Sequence, residues 1–186
     1  MMFSHARRSA GFSLIEAAIV LAIIGLVIGG IWAATNSVNQ NRKAERMVTN
    51  VMVMIDGILN LYKDQTVVGP YTDMTADMIA AGVVPKELVN GTTLTSPYGT
   101  SITVTRDDNT ITIEFGTQLT GVACRKSMLG IFSALQNMPT FKSGYIDMKI
   151  NGDDVVSDGT ETPSTVMNRC AAEGNPDDNS QIIFYF

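Results

Sequence analysis

From Ala17 to Ala34 the chain carries no charged residue, eighteen consecutive positions reading AAIVLAIIGLVIGGIWAA. That is the least a helix needs to cross a bilayer, and a chain holding such a run must place it in lipid or against other apolar surface. Phe12, Leu14 and Ile15 lengthen the run, at the cost of admitting one carboxylate, Glu16. A carboxylate in a membrane segment costs roughly 3 kcal/mol at the helix centre and less near its end, so Glu16 calls for a partner or a terminal position. Ser13-x-x-Glu16 fits a capping box, and the negative charge suits the positive end of a helix dipole. A secretory signal peptide is an alternative, with Arg7 and Arg8 as its basic region and Ala33-Ala34 near a cleavage site; it would release a soluble binding module. A glutamate within the apolar region is foreign to such a signal. A plain unprocessed anchor leaves Gly11 without a role.

The apolar run does not end in a linker. After the polar stretch Asn36 to Asn41, the residues Val48, Val51, Ile55, Ile58, Leu59 and Tyr62 recur at three- and four-residue steps, an amphipathic stripe. No proline lies between Phe12 and Gly69. One continuous helix from about Phe12 to Gln65 would be ~80 Å long, its first half without a soluble core and its second half with one buried face. Gly25, Gly29 and Gly30 each weaken the helix by about 1 kcal/mol relative to alanine, and fit either close helix packing in the membrane or local melting on assembly.

Beyond Val68-Gly69-Pro70 the pattern becomes mixed. Thr75 is positioned to cap a short helix over Ala76 to Ala81 that Gly82 ends. Pro85 permits a further turn through Val89, stopped at Asn90-Gly91, and Ser96-Pro97-Tyr98-Gly99 is a turn. Ile102, Val104, Ile111, Ile113 and Phe115 alternate with polar residues around Arg106-Asp107-Asp108-Asn109, which predicts a β-hairpin. Cys124 to Met138 predicts a helix stopped before Pro139, Tyr145 to Ile150 a strand, Thr165 to Ala172 a short helix, and Gln181 to Phe186 a closing strand.

Arg7-Arg8, then Gly11-Phe12-Ser13-Leu14-Ile15-Glu16 and the apolar run, resembles the leader and start of type IV prepilins and related pseudopilins. The resemblance implies cleavage by prepilin peptidase between Gly11 and Phe12, N-methylation of Phe12, and an assembly role for Glu16. After cleavage the Phe12 amine and Glu16 lie about 6 Å apart along one helix. In a staggered filament Glu16 instead meets the Phe12 amine of a neighbour, which removes a penalty that neither charge escapes alone. The Met78 to Pro85 stretch, the Pro97-Tyr98-Gly99 turn and the helix near Cys124 look like the type IVb branch, which includes PilS-like major pilins of conjugative thin pili. The 11-residue leader and Phe12 depart from that branch. The implied fold is α+β: a long N-terminal helix, half of it transmembrane, packed on an antiparallel β-sheet head. Its parts are a leader (1–11), a transmembrane and polymerisation half-helix (12–35), an amphipathic half-helix (36–66) and a head (67–186) with a cysteine-bounded region (124–170).

The resemblance implies a structural subunit, a homo-oligomer in a helical pilus filament, handled by the peptidase, a methyltransferase and the pilus assembly machinery. It is stored in the bacterial inner membrane with its C-terminus in the periplasm and is extracellular after assembly. Adhesion, aggregation and conjugation are the expected roles; a minor pilin or a type II secretion pseudopilin is the alternative within the class. Basic residues precede the span and none follows it immediately, which agrees with that orientation. Without residues 1–11 the chain holds 11 cationic against 18 acidic residues, an acidic balance that offers no nucleic-acid footprint. The single histidine, His5, lies in the leader, so no His-based triad or zinc site is expected, no cofactor is called for, and no enzymatic activity is expected. Cys124 and Cys170, in an exported domain, read most simply as one disulfide, with two buried thiols as the alternative. The acidic groups Asp153, Asp154, Asp158, Glu161 and Asp177-Asp178 do not match an EF-hand and read as solvated surface.

Overall fold

The computed structural model describes residues 13–62, 69–116, 121–155, 162–171 and 179–186. It has two compact units, residues 1–39 and 40–186. In the first, residues 13–39 are all exposed and, from Leu14, all helical. They belong to α1, Leu14–Tyr62, the continuous helix that the absence of proline predicts.

The second unit begins where the helix acquires a buried face. Ala44, Met47, Val51, Met54, Ile55 and Ile58 are buried at three- and four-residue spacing, with Asn50 among them. They pack on the apolar side of an eight-stranded antiparallel sheet. Its strands are β1 (Thr72–Asp73), β2 (Val89–Asn90), β3 (Thr93–Thr95), β4 (Ser101–Asp107), β5 (Thr110–Phe115), β6 (Ile146–Ile150), β7 (Asp153–Asp154) and β8 (Ser180–Tyr185). The order is β2-β3-β4-β5-β8-β6-β7, with β1 pairing to β4. Period-two alternation turns Ile102, Val104, Ile111, Ile113, Phe115, Ile146, Met148, Ile182 and Phe184 to the core. The closing strand β8 lies between β5 and β6 and so joins the hairpin to the C-terminal region.

The described residues also hold α2 (Thr75–Ala80), the expected turn after Pro85 as a 3-10 turn (Lys86–Leu88), α3 (Gly121–Leu135), the turn α4 (Pro139–Lys142) and α5 (Pro163–Ala171). Met128, Ile131, Phe132 and Leu135 of α3 and Val166 of α5 enter the same core. Gly130 lets α3 lie close to α1, since a Cβ there would stand 2.6 Å from Val48 Cγ2. Gly57 does the same for the segment after α2, its Cβ position lying 2.4 Å from Val83 Cγ1.

Several local expectations are corrected. Thr75 does not cap α2 but lies within it; Asp73 accepts from the Thr75 N–H at 2.9 Å, while the Thr75 hydroxyl accepts from Val104 N–H at 3.0 Å. A two-residue anchor strand, β1, thus supplies the cap. Val89 is a strand residue rather than the end of a helical turn, because it pairs with Leu94. Arg106 and Asp107 extend β4, which leaves Asp108-Asn109 as a two-residue turn with Asp108 at φ 45°, a conformation aspartate tolerates better than most residues. α3 ends at Leu135, and Pro139 begins a helical turn rather than merely stopping one; proline suits the first helical position, where an N–H would be unused.

Candidate assembly site

Leu14 opens α1, and the Ser13 carbonyl accepts from the N–H groups of Glu16 (3.0 Å) and Ala17 (3.1 Å). Ser13 is therefore the residue at which the helix begins. The reciprocal side-chain bonds of a capping box do not form among the described residues. The exposed Glu16 carboxylate stands in the first turn, where the helix dipole favours it. Gly11 and Phe12 lie outside the described residues. The apolar side chains that follow Glu16 are exposed: Leu26 is 79% exposed and Trp32 78%. A Cβ at Gly25, Gly29 or Gly30 would meet nothing within 4 Å. By length and composition this stretch is long and apolar enough to cross a membrane.

In the second unit the two cysteines meet. Cys124 on α3 and Cys170 on α5 form a disulfide with Cα atoms 5.6 Å apart, and both residues are buried. It ties α5 to the helix that packs against α1. Asn151 reinforces the region by donating to the Arg169 carbonyl at 3.1 Å.

No cluster of metal-ligating residues occurs among the described residues; Asp154 pairs with Lys149 at 3.2 Å, while Asp158, Glu161, Asp177 and Asp178 lie outside them. One carboxylate was not singled out from sequence. Asp147 is buried in β6 and accepts the Met148 N–H at 2.8 Å. Met148 offers its carbonyl to Val155, and its N–H on the same edge takes the neighbouring side chain instead of a strand. Burial raises the Asp147 pKa above the usual aspartate value, opposed by that hydrogen bond. The only signal in the sequence is an aspartate inside an alternating strand, which does not distinguish a shielded carboxylate from a solvated one.

Two family models match the chain. The PilS N-terminal model covers residues 41–185, and the prokaryotic N-terminal methylation motif covers residues 6–32. Together with an apolar N-terminal helix and an α+β head, they define the class, a type IV pilin. The chain belongs to the PilS family. Comparison with curated proteins returned no match. The matched families are structural subunits rather than enzymes, and the methylation motif implies processing by prepilin peptidase and pilus assembly from a membrane-anchored precursor.

Proposed function

We propose that the chain is the repeating subunit of an extracellular type IV pilus, a homo-oligomer built through the exposed half of α1. Residues 1–11 are a leader removed between Gly11 and Phe12, Phe12 is methylated, and residues 12–35 hold the precursor in the inner membrane with the head in the periplasm. Residues 36–66 are the amphipathic half of the helix, described as far as Tyr62, and 67–186 form the head that faces the medium. The observation that carries this reading is a fully exposed apolar helix, residues 13–39, whose single charge is Glu16. In lipid or in a filament core that charge needs a counter-ion, and the Phe12 amine of a neighbouring subunit, created by cleavage, supplies one. Release from the bilayer exchanges lipid contacts for contacts between helices, which small residues such as Gly25, Gly29 and Gly30 permit. Adhesion, aggregation or conjugation is the service such a thin pilus performs.

Intact mass and N-terminal sequencing of the protein from sheared filaments and from membranes test this. The expected chain starts at methylated Phe12, is two hydrogens light for the Cys124–Cys170 bond, and is abundant in the sheared fraction. The same processed chain confined to membranes would replace the major-subunit reading with a minor pilin or pseudopilin. A soluble chain starting beyond Ala34 would overturn the proposal.

A further inference from the structure

The face of the sheet turned away from α1 holds a carboxylate whose charge the fold does not use. Strand alternation puts Asp147 on that face, between Ile146 and Met148 of the core, and it is only 8% exposed. Its Oδ1 accepts the Met148 N–H at 2.8 Å. The other oxygen takes no hydrogen bond among the described residues and is not enclosed. Asp147 enters no ion pair among them either, since Lys149, two residues along the strand, is held by Asp154 at 3.2 Å. An asparagine would make the same bond to Met148 without desolvating a charge. One carboxylate oxygen is thus left open to whatever approaches this face.

The side chains around it narrow the choice of ligand. The pairing of Ile146 with Phe184, and the bond from Tyr185 N–H to the Tyr145 carbonyl at 2.9 Å, set Tyr145 opposite Tyr185. Their backbones are about 5 Å apart on adjacent strands, and the rings are 57% and 38% exposed. Asp147 follows Tyr145 by two residues, about 7 Å along the same face. The ladder extends the pair into a row: Tyr185 is opposite Thr110, and Thr110 opposite Asp107. The register of β1, carried back one residue, places the exposed Tyr71 opposite Asp107. Rings, hydroxyl and carboxylate therefore cross the sheet in one line about 19 Å long, four strand spacings. Because β8 is paired on both sides, with β5 and β6, no strand can be added there, and a ligand must be held by side chains.

We propose that this face binds a glycan carrying free amino groups, with one ammonium seated on the Asp147 carboxylate beside the Tyr145 and Tyr185 rings; the inference rests on the filament reading above and gives its adhesive role a partner. Flat exposed rings take the C–H faces of sugar rings and attract an ammonium through cation–π contact. The open oxygen of Asp147 is a charge-assisted acceptor for that ammonium. Asp107, Thr110 and the tyrosine hydroxyls bond the sugar hydroxyls along the row. The same carboxylates disfavour anionic glycans and phosphate by like charge. The apolar side of the sheet packs on α1, so in a filament built through that helix the opposite face looks outward. Every subunit then presents one site, and a polymer that engages several gains avidity from weak single contacts.

The test measures binding of a glucosamine oligosaccharide to the detergent-solubilised full chain by calorimetry, just below neutral pH, where its amines carry protons. The wild type is expected to bind it, and to bind the N-acetylated oligomer about tenfold more weakly. Asp147→Asn keeps the bond to Met148 and is expected to lose about tenfold for the amino sugar while the N-acetylated oligomer is little affected. A purely structural aspartate would not separate the two ligands in this way. Tyr145→Ala with Tyr185→Ala is expected to lose both, with a melt of the variant checking its fold. No binding by the wild type, equal affinity for the free and acetylated oligomers, or unchanged binding by Asp147→Asn overturns the proposal. Oligolysine bound as tightly as the amino sugar overturns the glycan assignment in favour of a basic peptide. None of these results touches the pilin reading, which fails separately, if the processed chain is absent from sheared filaments.

Discussion

Reducing the Cys124–Cys170 bond isolates one contribution to the head's stability, because the two thiols remain in place. The cysteines are 46 positions apart. Closing a loop of that size removes about 14 cal/mol/K from the unfolded ensemble, which is about 4 kcal/mol at 25 °C. For a chain of this size each kcal/mol moves the melting midpoint by about 2–4 °C, so reduction is expected to lower it by about 8–16 °C. Little else changes in the native state: Cys124 is 0% exposed and Cys170 5%, and Val166, Met128 and Ile131 share their core. The assay is a thermal melt of the detergent-solubilised full chain with and without dithiothreitol, followed by the near-UV signal of the tyrosines. All five tyrosines follow residue 40, and the lone tryptophan, Trp32, precedes it, so the tyrosine signal reports on the head. The double variant Cys124→Ala/Cys170→Ala is expected to melt lower than the reduced wild type, since buried sulfur is lost as well as the cross-link. A midpoint that moves by less than ~2 °C on verified reduction would refute the reasoning, because the loop-closure term would then be absent.

Other outcomes follow from particular side chains. Glu16→Ala is expected to leave cleavage intact but abolish incorporation into filaments, read by comparing membrane and sheared fractions; normal piliation would overturn the counter-ion role. Gly57→Ala gains about 1 kcal/mol of helix propensity yet is expected to destabilise, because its Cβ would meet Val83 Cγ1 at 2.4 Å and Val83 O at 3.3 Å, and overpacking costs about 1–3 kcal/mol. Gly130→Ala meets only the Val48 side chain closely, which can turn aside, and is expected to be milder; urea titrations of the two variants against the wild type measure both effects. Asp147 has a raised folded-state pKa, so the native state holds the proton more tightly than the unfolded chain. Its contribution is favourable at acid pH and lost as pH rises through the folded value. Asp147→Asn, which keeps an acceptor for Met148 N–H, is expected to raise the melting midpoint at neutral pH and to gain less near pH 4. Asp73 is the reverse case: hydrogen bonds from Thr75 lower its pKa, so its stabilisation is present above the unfolded value and fades as pH falls through the folded one. The difference between wild type and Asp73→Ala is expected to shrink on acidification.

What could be read in advance was whatever has a period or a unique partner. The stripe from Val48 to Tyr62 repeats at helical spacing, and the 102–115 hairpin alternates over two long strands, so both were visible. Two cysteines leave one intramolecular pairing. The short strands were not visible, because β1, β2 and β7 have two residues each and two residues have no period. They exist because a longer neighbour offers free backbone groups, as β4 does to β1. The place of β8 between β5 and β6 is likewise a long-range fact that local pattern does not contain. Thr75 and Pro139 misled for a related reason: each has two roles open to it. Thr75 was drawn off as a cap by the buried Val104 N–H it serves, and Pro139 fits the start of a helix as well as a stop.

The two units divide the chain's free energy as well as its length. In residues 40–186 the apolar stripe of α1 is satisfied internally, since Met47, Val51, Ile55 and Ile58 are fully buried. In residues 13–39 no side chain is buried, although the composition there is the more apolar. The apolar surface of that segment is therefore left exposed within its own unit, where burial in lipid or against other chains would be favourable. Substitutions should sort accordingly. A change at Ile55 or Phe132 acts on whether the subunit folds; on the proposed reading, a change at Glu16 or Gly29 acts on whether the folded subunit leaves the bilayer for the filament.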